Sequence, residues 1–165
     1  MIISFKHKFI FMKTRKTAGS SIQAALSKVC GGEDILTGSN YDLKTNILDE
    51  SHIAGRNIDK FFTNHPHPLI SDVKDFLGKN IWDSFFKFAF VRNPFDVAIS
   101  RYFWNVKGKK QNTEECSVEG FRKWILTYCS DNAVFGPAEF YTNDLAHLYT
   151  CSGGYIDLDF IGKYE

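Results

Sequence analysis

The sequence predicts one α/β domain of three layers, in which helices flank a short central parallel sheet. Three observations carry that expectation. Two apolar runs, residues 9–12 and 86–91, are each followed by a small polar turn and then an amphipathic segment, the order of strand, turn and helix. The length, 165 residues, suits a single domain of about 100–200 residues, and neither a repeat nor a linker divides it. A mixture of 44% hydrophobic and 24% charged residues excludes disordered, collagen-like and low-complexity classes.

Residues 9–12, Phe-Ile-Phe-Met, read as a strand buried on both faces. After the small, hydroxyl-rich residues 14–21, the positions Ile22, Ala25, Leu26 and Val29 have helical spacing, and Gly31-Gly32 ends that helix. Residues 33–63 lack a clear period; turn signals at Gly38-Ser39-Asn40 and Asp49-Glu50-Ser51 make them loops with short helical pieces. His65-Pro66-His67-Pro68 is extended, because each proline disfavours the helical region for the residue before it. A helix follows over residues 71–77, with Ser71 as N-cap, Asp72 in its first turn and Gly78 at its end. Residues 86–91 form the second strand and place Arg92 at its carboxyl end. Asn93 caps the next helix and Pro94 suits its first position; Val97, Ala98, Ile99, Tyr102 and Phe103 carry it to about residue 105. Lys107-Gly108-Lys109-Lys110 is a solvated basic loop, residues 118–128 are helical, and residues 155–161 alternate like a late strand.

Lys+Arg 20 against Asp+Glu 19 leaves a net charge of +1, which excludes a general polyanion binder and leaves room for a local anion pocket. Sixteen Phe, seven Tyr and three Trp require a deep core or a groove to cover them. Cys30, Cys116, Cys129 and Cys151 contain no C-x-x-C pair, so neither a zinc ribbon nor a thioredoxin-like motif is present, and the thiols read as free and buried. The N-terminal apolar run falls short of a signal core or of the ~20 residues that span a bilayer. The expectation is a cytoplasmic protein without a membrane or nucleic-acid partner.

Both junctions should lie at the carboxyl edge of the sheet, where open α/β sheets bind ligands. The first is not a G-x-x-x-x-G-K-[ST] loop, because Lys16 precedes Gly19. A lysine before a small-residue turn can still face a phosphate or sulfate while helix N–H groups, Ser20 and Ser21 hold its oxygens. At the second junction Ser100 lies seven residues after Asn93, about two helical turns, which returns it to the face of the helix start. Arg92 and Ser100 can then share one phosphate. The plainer alternative pairs Arg92 with Asp96 and leaves Ser100 as a surface position.

Lys16-Thr17-Ala18-Gly19-Ser20-Ser21 resembles the 5′-phosphosulfate loop of the sulfotransferases, in the form found in their carbohydrate-type branch. Residues 88–102, Phe-Ala-Phe-Val-Arg-Asn-Pro-Phe-Asp-Val-Ala-Ile-Ser-Arg-Tyr, resemble the 3′-phosphate element of that family, and residues 67–78 and 81–87 resemble the segment leading into it. The resemblance implies transfer of a sulfuryl group from 3′-phosphoadenosine 5′-phosphosulfate to an acceptor hydroxyl of a carbohydrate or glycoconjugate, without a metal, leaving adenosine 3′,5′-bisphosphate. It implies that Lys16 stabilises the leaving phosphate oxygen, that Arg15, Lys16, Thr17, Ala18, Gly19, Ser20 and Ser21 line the phosphosulfate, and that Arg92 and Ser100 hold the 3′-phosphate. For the base the resemblance points to His67, eleven residues before Gly78, a spacing that in the resembling segment places a histidine near the acceptor; His52 is the alternative, then His65, with Glu33 and Asp49 as carboxylate candidates. One of Trp82, Phe85, Phe86, Tyr102, Phe103 and Trp104 is a candidate for stacking on adenine, the rest being core.

Three departures stand out. Arg15 replaces the family's usual proline, Val97 replaces a basic residue common in the carbohydrate branch, and the sequence stops at Glu165 where related proteins continue into a helical segment. The expectation is therefore a single sulfotransferase-like domain over residues 1–165, short at its C-terminus. The rival is a non-catalytic module that binds the same nucleotides; a nucleotide kinase is a distant third.

Overall fold

The two apolar runs of the sequence lie side by side as parallel strands. The computed structural model of the chain describes residues 1–38, 55–60, 67–108, 117–129 and 156–164. These contain strands β1 (Ile2–Ser4), β2 (Phe9–Met12), β3 (Ile35–Leu36), β4 (Phe86–Arg92) and β5 (Phe160–Tyr164), and helices α1 (Gly19–Ser27), α2 (Ile70–Ser84), α3 (Pro94–Gly108) and α4 (Val118–Cys129). His52, His65, Asp49, His147, Cys116, Cys151, Lys109 and Lys110 lie outside the described residues.

The sheet order is β3-β1-β2-β4-β5. β2, β4 and β5 are parallel, as the strand-turn-helix pattern predicts, whereas β1 and β3 extend the sheet antiparallel. This extension has no counterpart in the sequence reading, because strands of three and two residues are too short to show a period. A buried carboxylate holds it in place. Asp34 accepts hydrogen bonds from Ser4 Oγ (2.7 Å) and from the N–H groups of Gly31 (2.7 Å), Phe5 (2.8 Å) and Lys6 (3.1 Å). Burial alone would raise its pKa; the four donors overcome that and hold the carboxyl below the ordinary range.

Alternation along the strands feeds two cores. One sheet face contributes Ile3, Ile10, Met12, Ile35 and Ala89 to a cluster with Ile70, Val73, Leu77 and Trp82 of α2. The other contributes Ile2, Phe11 and Leu36, covered by Phe9, Phe88, Phe90 and by Ile22 and Leu26 of α1. With α1 on one face and α2 on the other, the three layers are in place. α1 departs from its expected pattern: Gln23 is buried and bonds the Thr37 carbonyl, while Ala25 and Val29 face solvent. α3 and α4 join through Tyr102, whose ring lies 5.4 Å from Phe121 and 5.6 Å from Trp124.

α2 begins at Ile70, with Leu69 rather than Ser71 in the cap position; the Leu69 N–H donates to Asp72 Oδ2 at 3.3 Å. Gly78 leaves the helical region at φ 72°, where the sequence places a helix end, but a second helical stretch continues to Ser84 and delivers Trp82 to the core. The late strand also lies further along than its alternation suggests, at Phe160–Tyr164. Its approach is an anchor: Asp157 accepts from Trp82 Nε1 (2.9 Å) and Lys74 Nζ (2.6 Å), and Asp159 accepts from the Lys87 N–H (2.7 Å) and pairs with Lys87 Nζ (2.9 Å). Lys87, 5% exposed, also donates to the Trp82 and Phe85 carbonyls, so this buried charge is fully engaged.

Gly162 of β5 lies under the Phe90 ring, and a Cβ there would collide with its Cδ1 and Cε1 edge. Gly162→Ala should therefore destabilise the fold by about 1–3 kcal/mol through overpacking. Urea unfolding would read this as a lower midpoint at unchanged slope.

Candidate functional site

Residues 13–18 link β2 to α1 across the carboxyl edge of the sheet. Two of them are left-handed without being glycine: Lys16 at φ 60° and Ala18 at φ 56°, each at a cost of about 1–2 kcal/mol. Thr14 and Thr17 fix the turn from inside, with their hydroxyls 2.7 Å apart and Thr17 Oγ1 donating to the Thr14 carbonyl at 3.2 Å. The Thr17 side chain is thus part of the loop's own framework, and its share in ligand binding falls to the backbone. Gly19 opens α1 against Lys13; a Cβ would come within 2.8 Å of Lys13 Cγ and 3.1 Å of the Thr14 carbonyl oxygen. Ala18 stands at the N-cap, so no side chain caps α1. Its first N–H groups and the exposed Ser20 and Ser21 are donors at a helix start.

The second junction is tied to the first. Thr14 Oγ1 donates to the Phe90 carbonyl, and Arg92 Nη1 donates to the Lys16 carbonyl at 3.3 Å. Arg92 pairs in register with Tyr164 on β5, whose ring lies 5.0 Å from the guanidinium carbon. Ser100 is half-buried on α3. On the far side of the loop, Pro68 is buried and the His67 ring meets the Lys13 carbonyl, Nδ1 to oxygen, at 2.8 Å. Because a carbonyl only accepts, Nδ1 carries the proton and Nε2 is the basic nitrogen of the neutral ring. Glu33 stands at the opposite, amino edge of the sheet, before β3, and pairs with Lys60 at 2.9 Å. That position removes it from the candidates for the base.

Positive charge is concentrated at this edge. Lys13 is 8% exposed, and burial pushes its pKa down to about 8. Burial, then the charges of Arg101 and Arg92, lower the pKa of Lys16. None of the described ion pairs includes Lys13, Lys16 or Arg92. Burial also lowers His67, to about 3, against the raising effect of its bond to the Lys13 carbonyl and with the further help of the Lys13 and Arg15 charges. The ring is therefore neutral at physiological pH, but far less basic than the ordinary value of about 6.5 that the sequence suggests. An anion would relieve every one of these costs, so the residues fit a phosphate- or sulfate-bearing ligand.

Sequence reasoning missed Lys13 and Tyr164 at this edge and did not connect Trp104 with Lys16. Lys13 carried a signal, being a charged residue directly after a buried strand. The Trp104 ring lies 5.3 Å from Lys16 Nζ; the sequence offers it only as one of six aromatics. Tyr164 reaches Arg92 through strand pairing that no local pattern announces.

The family model described as the sulfotransferase family matches residues 1–165, and the chain belongs to that family. No curated protein and no solved structure matches it. Its class of chemistry is group transfer by a transferase, on the mixed α/β fold described above. Among the described residues, no helix is long and apolar enough to cross a membrane, and no group of three or more His, Cys, Asp or Glu side chains is placed to hold a metal ion.

The buried lysine makes the site a burden on the free protein. Lys13→Met should raise stability at pH 7 by about 1–3 kcal/mol by removing a desolvated ammonium. The folded pKa of about 8 lies below the ordinary 10.5, so the unfolded state binds more protons between these values and wild-type stability rises with pH there. The advantage of the variant should accordingly shrink between pH 8 and 10.5, measured by urea unfolding at a series of pH values.

Proposed function

We propose that the chain moves a sulfuryl group from 3′-phosphoadenosine 5′-phosphosulfate to a hydroxyl of a carbohydrate or glycoconjugate. The observation that carries this reading is the Arg92 to Lys16 carbonyl hydrogen bond. It brings the guanidinium of the second junction against the backbone of the first, so that a nucleotide carrying 5′ and 3′ phosphate groups on one ribose could meet both junctions. The loop N–H groups with Ser20 and Ser21 take the 5′-phosphosulfate, and Arg92 with Ser100 takes the 3′-phosphate; Arg15 and Lys13 add charge beside the loop. The carbohydrate acceptor rests on the resemblance of residues 16–21 to that branch of the family. A cytoplasmic setting, in which the half-buried Cys30 stays a free thiol, completes the reading.

The acceptor oxygen forms its bond to sulfur as the bond from sulfur to the 5′-phosphate oxygen breaks. The hydroxyl proton goes to His67 Nε2, and the Lys16 ammonium meets the charge that grows on the leaving oxygen. The donor's negative charge offsets Lys13 and Arg15, the smaller causes of the low His67 value, and leaves the larger one, burial, in place.

Two measurements test this. Arg92→Ala should weaken adenosine 3′,5′-bisphosphate about tenfold or more while barely changing adenosine 5′-phosphate, since a charged hydrogen bond is worth about 1.5–3 kcal/mol; calorimetric titration with both nucleotides decides, and equal losses refute the assignment. His67→Ala should lower single-turnover sulfuryl transfer about 10²–10⁴-fold with bisphosphate affinity intact. The acid limb of the wild-type rate at saturating donor should lie below the ordinary histidine value of about 6.5. Normal transfer in this variant moves the base elsewhere, and donor binding without transfer in the wild type favours a binding module.

A further inference from the structure

Trp104 is 62% exposed on α3, so its ring is no part of the core, yet one face of it lies over the Lys16 ammonium at 5.3 Å. The other lysines over a tryptophan ring, Lys74 and Lys87 at Trp82, each have a carboxylate as well, Asp157 and Asp159. Lys16 does not: it faces Arg92 from β4 and Arg101 from α3, and no described ion pair includes it. The ring supplies negative potential without negative charge. A carboxylate at that place would cancel the ammonium and repel an incoming polyanion. The ring restrains the long lysine stem and leaves its full charge available. Meanwhile the Lys16 backbone is set at φ 60° and its carbonyl is held by Arg92, so main chain and side chain are fixed separately.

We propose that Trp104 is a positioning residue that holds the Lys16 ammonium at the loop, where it meets the charge developing on the leaving oxygen. This rests on the sulfuryl-transfer reading, and deepens it by assigning a role outside both nucleotide-binding segments.

The test compares Trp104→Leu and Trp104→Phe with the wild type in two assays. The first measures kcat, donor KM and the Kd for adenosine 3′,5′-bisphosphate. The second follows acylation of the Lys16 amine against pH by mass spectrometry and needs no turnover. Trp104→Leu should lower kcat about three- to tenfold and change the bisphosphate Kd less than about twofold; Trp104→Phe, which keeps a ring face, should recover most of the loss. The ring favours the charged form of the amine, so the pH of half-reaction at Lys16 should fall in Trp104→Leu and return part of the way in Trp104→Phe. Exposure at Trp104 predicts unchanged unfolding midpoints in both.

Equal kcat and equal labelling in Trp104→Leu and wild type would overturn the proposal. So would equal losses in the two variants, or a loss confined to bisphosphate affinity, which would place the ring on the nucleotide. A wild-type protein without transfer overturns the sulfuryl-transfer reading instead, and the labelling then decides by itself whether the ring holds the ammonium.

Discussion

The register between β2 and β4 is the constraint on which the site depends. Four parallel pairs, from Phe9 with Phe86 to Met12 with Ala89, set the end of β2 three residues short of Arg92. The loop after Met12 therefore runs past the last turn of the β4 backbone, where Thr14 reaches the Phe90 carbonyl and Arg92 reaches that of Lys16. A slip by one residue would exchange the faces of Phe88 and Phe90 with those of Lys87 and Ala89, placing a paired lysine among the aromatics of the α1 side. Packing of both faces thus enforces the alignment of the two junctions.

The near-neutral total charge conceals a segregation. Carboxylates are concentrated in structural work away from the loop: Asp34 gathers the turn after β1, and Asp157 and Asp159 fasten the approach to β5 onto α2 and Lys87. The carboxyl edge keeps Lys13, Lys16 and Arg92 outside the described ion pairs. Together with left-handed Lys16 and Ala18, this concentration of like charge makes the candidate site a local loss of stability, which a bound anion would offset.

What the sequence made legible was local. Continuous apolar runs marked β2 and β4, helical spacing marked α1 and α3 though not the buried face of α1, and the order lysine, small residues, helix marked the loop. What it hid was of two kinds. Elements of two or three residues, β1 and β3, have no period to show, and β1 is held by Asp34, the residue before β3, 30 positions on from Ser4. Acidic residues in an alternating run, Asp157 and Asp159, imitate the solvent face of a strand while acting as anchors. In the site, Lys16, Gly19 and Arg92 announced themselves by motif, whereas Lys13, Trp104 and Tyr164 matter through long-range placement. The basicity of His67 was out of reach for the same reason: the Lys13 backbone and cations that set it come from other parts of the chain.

The fastening of β5 has a kinetic side. Lys74 and Asp157 are 83 residues apart, and Lys87 and Asp159 are 72 apart, so this edge closes through contacts of high sequence separation, which slow folding. Until it closes, β4 presents an open row of amide and carbonyl groups, bordered by Phe86, Phe88 and Phe90. An uncovered strand of that composition is a template for pairing with another molecule. Asp157 and Asp159 tie the approach to β5 down on α2 and Lys87, so that in the folded protein the last strand shields that row of β4 from a second molecule.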